Sequence, residues 1–119
     1  TSAINKVRVH CVTTLGTYAS YYGYARMMRE AVVLLVGTTA GNRIAAQVGT
    51  GDGSSFSSSS LSASFLAIDI PGTTAAVAYH LEVGAQNGGT IVVGGTYSDT
   101  DSAYTVRTPS IIEAVEIMV

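Results

Sequence analysis

The chain has 119 residues, of which 47% are apolar and only 12% charged, about half the roughly 25% usual for soluble proteins. Its net charge is −2, and the cationic side chains are scattered from Lys6 to Arg107, which leaves no basic footprint and excludes DNA and RNA as partners. Cys11 is the one cysteine, so an intrachain disulfide and a cysteine-rich metal site are excluded too.

The first element is a strand over Ile4 to Thr13. Val7, Val9 and Cys11 fall on one face and Lys6, Arg8 and His10 on the other, and Leu15-Gly16-Thr17 closes it. Cys11, flanked by Val9 and Val12, reads as a small buried hydrophobe, and His10 as a solvated or partner-facing side chain. Over residues 19–36 the propensities of Ala, Met, Leu and Glu favour a helix. Tyr21, Tyr22 and Tyr24 around Gly23, and the pair Val32-Val33, favour strands. Two strands with a turn at Arg29 to Ala31 are the expectation, with a helix as the alternative. Gly37 to Asn42 reads as a turn, Arg43 to Val48 as a short strand, and the Gly- and Ser-rich stretch from Gly49 to Ser60 as a flexible loop.

The stretch Leu61 to Val93 organises the rest. Phe65, Ala67 and Asp69 alternate with Leu66, Ile68 and Ile70 up to a turn at Pro71-Gly72, where one residue fixes φ and the next frees it. Val77, Tyr79, Leu81 and Val83 then alternate with Ala76, Ala78, His80 and Glu82. Asn87-Gly88-Gly89 tolerates positive φ, and a return strand from Thr90 to Val93 predicts a hairpin over Ala76 to Val93. A polar loop from Gly94 to Ser110 carries Tyr97, Asp99, Asp101 and Tyr104. A last strand covers Ile111 to Val119. About eight short strands without a helix predict an all-β, two-sheet antiparallel jelly-roll-like sandwich.

The length fits a single domain, 1–119, with its own core. Ser, Thr, Gly and Tyr must build the surface, and a surface with one lysine suits an assembly component. The longest apolar run, Ala31 to Val36, is far below the ~20 residues that span a bilayer, so membrane insertion is not expected and the chain reads as soluble. A start at Thr1 suggests a processed product or an excised domain.

No enzyme is expected. The two histidines, His10 and His80, have no carboxylate held near in sequence. Of the carboxylates on or next to strands, Asp69, Glu82, Glu113 and Glu116, a glycosidase would need two on facing positions. Asp99-Thr100-Asp101 and Asp52 lack the ligand series of a calcium loop, so neither metal nor cofactor is expected. Tyr97 and Tyr104 flank acidic and hydroxyl groups in a loop, which makes Tyr97, Asp99, Asp101 and Tyr104 the candidate ligand-contact set, with a carbohydrate as the ligand.

Three segments together resemble a known family: the one from Tyr22, YGYARMMREAVVLLVG; the one from Ser62, SASFLAIDIPGTTAAVAYHLEVGAQNGGTIVV; and the one from Ser98, SDTDSAYTVRTPSIIEAVEIMV. They look like the β-rich C-terminal domain of tailed-phage virion proteins, which include tail fibres, spikes and capsid-attached appendages. The features carrying the likeness are Asp69 to Gly72, Thr73-Thr74, Tyr79, Asn87 to Gly89, and Thr108 to Glu116, in that order. They span around four fifths of the chain. Where the family's earlier hairpin turns on an acidic residue followed by Gly, this chain has Glu30 followed by Ala31.

The resemblance implies a non-enzymatic jelly-roll domain of the virion, commonly a homotrimer, and carries over no catalytic residue. A fibre or spike domain contacting a host receptor or surface glycan is the leading expectation. A capsid decoration (cement) protein touching other virion proteins is the alternative, and a carbohydrate-binding module a further one.

Overall fold

A computed structural model describes residues 4–17, 22–34, 37, 41, 45–50, 60–86, 88–98, 101–103 and 105–119. These form eight strands and no helix: β1 (Lys6–Thr17), β2 (Gly23–Arg29), β3 (Val32–Leu34), β4 (Val48–Thr50), β5 (Ser60–Asp69), β6 (Tyr79–Ala85), β7 (Ile91–Val93) and β8 (Ile111–Ile117). They build two antiparallel sheets packed face to face, a β-sandwich as expected.

Each sheet is arranged around one long strand. In the first, β1 pairs along nearly its whole length with β5, from Val7 against Asp69 to Gly16 against Ser60. Its other side is shared in tandem by β8, against Lys6 to Val12, and β7, against Leu15 to Thr17. In the second, β2 pairs throughout with β6, while β3 and β4 share its other side. A tandem arrangement leaves a gap in the ladder where one short strand stops and the next starts, and buried backbone groups there need other partners. In the second sheet Gln47 fills it, its Oε1 accepting from the Met27 amide at 2.8 Å. In the first, the Gly94 amide donates to the Thr14 carbonyl at 2.8 Å, and the Thr13 hydroxyl meets that of Ser110 at 2.7 Å.

The core lies between the sheets. Val9, Cys11, Leu15, Ala63, Phe65 and Ala67 face Ala25, Met27 and Leu34, with Val7, Val48, Tyr79, Leu81, Val83 and Ile91 packed around them. The expected inward faces of β1 and β6 are therefore the real ones. Cys11 is buried, which pushes its thiol pKa up. At one end of the sandwich Asp69 closes the core from β5. It accepts from Arg29 Nη1 of β2 at 3.1 Å and from the Tyr79 hydroxyl of β6 at 2.8 Å, so one buried carboxylate ties the two sheets together.

Residues 23–34 form the hairpin rather than the alternative helix. Arg29 pairs with Val32 across a two-residue turn, and Glu30 takes φ +49° there, at a position where Gly is usual. The strain is offset locally, because the Ala78 amide donates to Glu30 Oε1 at 2.7 Å and the Glu30 amide to the Ala78 carbonyl at 3.0 Å.

Two expectations are corrected. The hairpin over Ala76 to Val93 does not form: β6 belongs to the sheet of β2, and β7 to that of β1. The turn is real, with Gly88 at φ +72° and the Gly89 amide bonding the Gln86 carbonyl at 3.0 Å. It carries the chain across the sandwich instead of reversing it within a sheet, because Leu81 and Val83 bury inward from one sheet and Ile91 from the other. Pro71-Gly72, with Gly72 at φ +69°, makes a similar crossing from β5 towards β6. The strand expected over Arg43 to Val48 instead runs from Val48 to Thr50, the segment that can reach Gly23 to Ala25 of β2. Residues 42–44, Asn87 and most of the Ser-rich loop lie outside the described residues.

Candidate assembly surface

β5 turns the larger half of its apolar side chains outward. Ala63, Phe65, Ala67 and Asp69 face the core, whereas Leu66, Ile68 and Ile70 stand on the outer face, 58%, 50% and 58% exposed. An isolated domain gains by burying apolar side chains, and three Leu and Ile side chains exposed along one face forgo that gain. Register extends the patch. Arg8 lies between Ile68 and Val115, His10 between Leu66 and Glu113, and Val12 between Ser64 and Ile111, all on the outer side of the sheet.

The polar groups on this face neutralise one another. Arg8 pairs with Glu113 at 3.5 Å, both half-exposed, an arrangement contributing no more than about 1 kcal/mol. His10 Nε2 and the Ser64 hydroxyl are 3.0 Å apart. Arg8, His10, Ser64 and Leu66 line a shallow open depression of about 330 Å³. The hydroxyl–imidazole contact has the spacing of a nucleophile and its base, but it lies on an open sheet face rather than in a closed cleft.

β8 continues the patch to the edge of the sheet. All seven of its residues are exposed, and none belongs to the core cluster. Its only strand partner among the described residues is β1. Side chains pin both ends. Ser110 meets Thr13 before it, and Asn5 donates to Glu116 Oε1 at 2.6 Å and accepts from the Val119 amide at 3.4 Å. Beyond the strand, Met118 and Val119 are 86% and 74% exposed.

Of the ligand-contact candidates, Tyr97 is half-buried and Asp101 exposed, while Asp99 and Tyr104 lie outside the described residues. The loop that carries them folds back on itself. Gly95 bridges Arg107, the Thr96 amide donates to the Val106 carbonyl at 3.1 Å, and the Thr108 amide to the Gly94 carbonyl at 2.7 Å. Its base packs against Gly16, where a Cβ would meet the Gly95 oxygen and the Tyr97 nitrogen at 2.6 Å.

The four strand carboxylates each have a partner: Asp69 holds Arg29 and Tyr79, Glu82 takes Arg26 Nε at 2.7 Å, Glu113 faces Arg8 and Glu116 binds Asn5. No group of three metal-ligating side chains is found among the described residues, and no helix there is long and apolar enough to cross a membrane. Residue reasoning missed the outer face of β5 and the edge at β8. The signal was available in Leu66, Ile68 and Ile70, which outweigh the residues alternating with them. Comparison with models of known protein families, with curated proteins and with solved structures finds no match.

Proposed function

We propose that the chain is a structural domain of a tailed-phage virion that acts by protein–protein assembly, with a sheet face and a sheet edge as its working surfaces. The observation that carries the reading is the outward row Leu66, Ile68 and Ile70, continued by the exposed strand β8. Apolar surface of this extent on a chain with 12% charged residues suits a component whose neighbours cover it. The resemblance of its segments to the β-rich C-terminal domains of virion proteins supplies the setting. In that setting copies of the chain associate, commonly as a homotrimer, within a fibre or spike that contacts a host receptor or glycan.

A capsid decoration protein is the second reading, and the shape favours it. The molecule is a slab of 49 × 36 × 17 Å, and a thin slab with one apolar broad face is suited to lying flat on a shell of other virion proteins. The two are separated by incubating the purified domain with host cells and with capsids stripped of their minor proteins, then measuring what sediments. Saturable binding to cells, abolished by trimming surface glycan, supports the fibre or spike. Saturable binding to stripped capsids alone, with a gain in capsid stability, supports decoration. Binding to neither refutes the virion reading.

A further inference from the structure

We propose that His10 makes cover of the first sheet's outer face depend on pH, with an apolar partner surface held at neutral pH and released as the imidazole takes up a proton. The proposal rests on the reading of this face as an assembly surface and names what regulates it.

The register puts His10 at the middle of the face. β5 and β8 flank this part of β1, and the outward residues of β1 are Lys6, Arg8, His10 and Val12. Around His10 stand Leu66 and Ile68 of β5, Val12 of its own strand, and Ile111 and Val115 of β8, all exposed. His10 itself is half-buried. A surface laid over these apolar side chains therefore covers the imidazole as well.

The polar groups that face His10 come one from each strand. β5 brings the Ser64 hydroxyl, 3.0 Å from Nε2, and no titratable side chain at its other outward positions over Ser60 to Ile68. β8 brings Glu113, opposite His10 in the ladder. β1 brings Arg8, two residues away, which pairs with Glu113 at 3.5 Å, so between about pH 5 and 8 these two charges cancel. A neutral imidazole adds nothing to that balance, and the Ser64 hydroxyl serves its Nε2 as donor or acceptor. Protonation leaves one carboxylate among two cations. Lys6 imposes no such burden, because it is exposed at the end of the row and its long stem can keep the ammonium in water. The imidazole is short and central, and it has no such escape.

Imidazole changes charge between about pH 5 and 8. A cover removes water from the ring, and desolvation disfavours the charged form. The partner meets an uncharged imidazole at the upper end of that range, and binding is lost as pH falls through it. The loss is bounded, because a covered imidazolium can give its proton back to water at a cost of at most about tenfold in affinity per pH unit.

The experiment uses the full chain and Nile red, an uncharged apolar dye, as the probe of the face. Fluorescence titrations are run at about pH 7.5 and about pH 5, with circular dichroism to show the fold kept at both. Dye binding is expected at the higher pH and about tenfold weaker at the lower. Leu66→Ser with Ile68→Ser removes most of the binding, which places the dye on this face. His10→Gln binds equally at both pH values, whereas His80→Gln, on the other sheet, keeps the full pH dependence. Absence of dye binding at the higher pH, equal binding at the two, a dependence that survives His10→Gln, or binding that survives the double serine variant overturns the proposal. Sedimentation with stripped capsids and with cells at the same two pH values tests the virion reading separately: binding to neither refutes that reading, while the dye still decides on His10.

Discussion

Asp69→Asn isolates the contact that joins the two sheets. The carboxylate is buried, 8% exposed at the side chain, and takes hydrogen bonds from Arg29 Nη1 at 3.1 Å and from the Tyr79 hydroxyl at 2.8 Å. Breaking a buried ion pair costs about 3–5 kcal/mol when the remaining charge has nowhere to go. Here Arg29 is 19% exposed and also reaches the Ile70 carbonyl at 3.3 Å, and the Asn amide oxygen keeps one neutral acceptor. The expected loss is therefore about 2–3 kcal/mol, against the ~5–15 kcal/mol that stabilises a typical domain. Urea unfolding is the assay, with the midpoint lowered and the slope m unchanged. In a cycle with Tyr79→Phe the two substitutions should couple by about 1 kcal/mol or more, since they share one carboxylate. A loss below about 0.5 kcal/mol, or strict additivity, would refute the idea that this carboxylate clasps the sheets.

The same cluster makes stability fall in alkali. Burial, then the hydrogen bond and negative charge of Asp69, push the Tyr79 phenol up to about 12, opposed in part by Arg29. The unfolded value is near 10, so between about pH 10 and 12 the folded state holds a proton that the unfolded state has lost. The contribution is full below about pH 10 and disappears as pH rises through about 12, at most about 2 kcal/mol for a half-buried ring, and Tyr79→Phe should flatten that decline in unfolding midpoints. Phe65→Ala, at the centre of the core, should cost about 3–5 kcal/mol in the same urea assay. Gly16→Ala should cost about 3 kcal/mol because its Cβ meets backbone of residues 95–97, and Gly84→Ala about 1 kcal/mol because the nearest atoms to its Cβ belong to the Tyr24 ring, which can turn aside; equal costs would contradict that difference. Leu66→Ser with Ile68→Ser should leave the unfolding midpoint within about 0.5 kcal/mol of the parent yet lower binding to the partner found by sedimentation, and unchanged binding would remove this face from the assembly reading.

Much of the fold was legible because period-two alternation is a local property. β1, β2, β5, β6 and β8 stand close to where the sequence puts them, and Val32-Val33 beside the tyrosines outweighed helix propensity because both edges of β2 have sheet neighbours. Pairing is not local. Nothing in the residues from Gln86 to Thr90 distinguishes a turn within a sheet from one that crosses between sheets, and only the burial of Leu81 and Val83 against Ile91 decides it. The tandem arrangement was hidden for the same reason: the strands at Ile91–Val93 and Ile111–Ile117 are legible, but that they share one side of β1 is not. Alternation also does not say which face is inside. On β5 the set with Phe65, two alanines and Asp69 went in, where the ring fills the core and the Asp69 carboxylate finds its partners, and the Leu and Ile set was left for the surface.

The two kinds of strand differ in what holds them, and this bears on assembly. β1, β2, β5 and β6 are locked twice, by ladders and by the core that they enclose. Among the described residues β8 is held by one ladder and by side-chain bonds, and it contributes nothing to the core cluster. Elements with few buried apolar contacts sit at the low end of the local stability scale, so β8 is the strand whose environment an added partner changes most. Its exposed Ile111, Ile112, Val115 and Ile117 give little to the isolated domain and much to a complex that covers them. The core cluster holds no side chain of β8, which allows this edge to be shaped for association without changing the core.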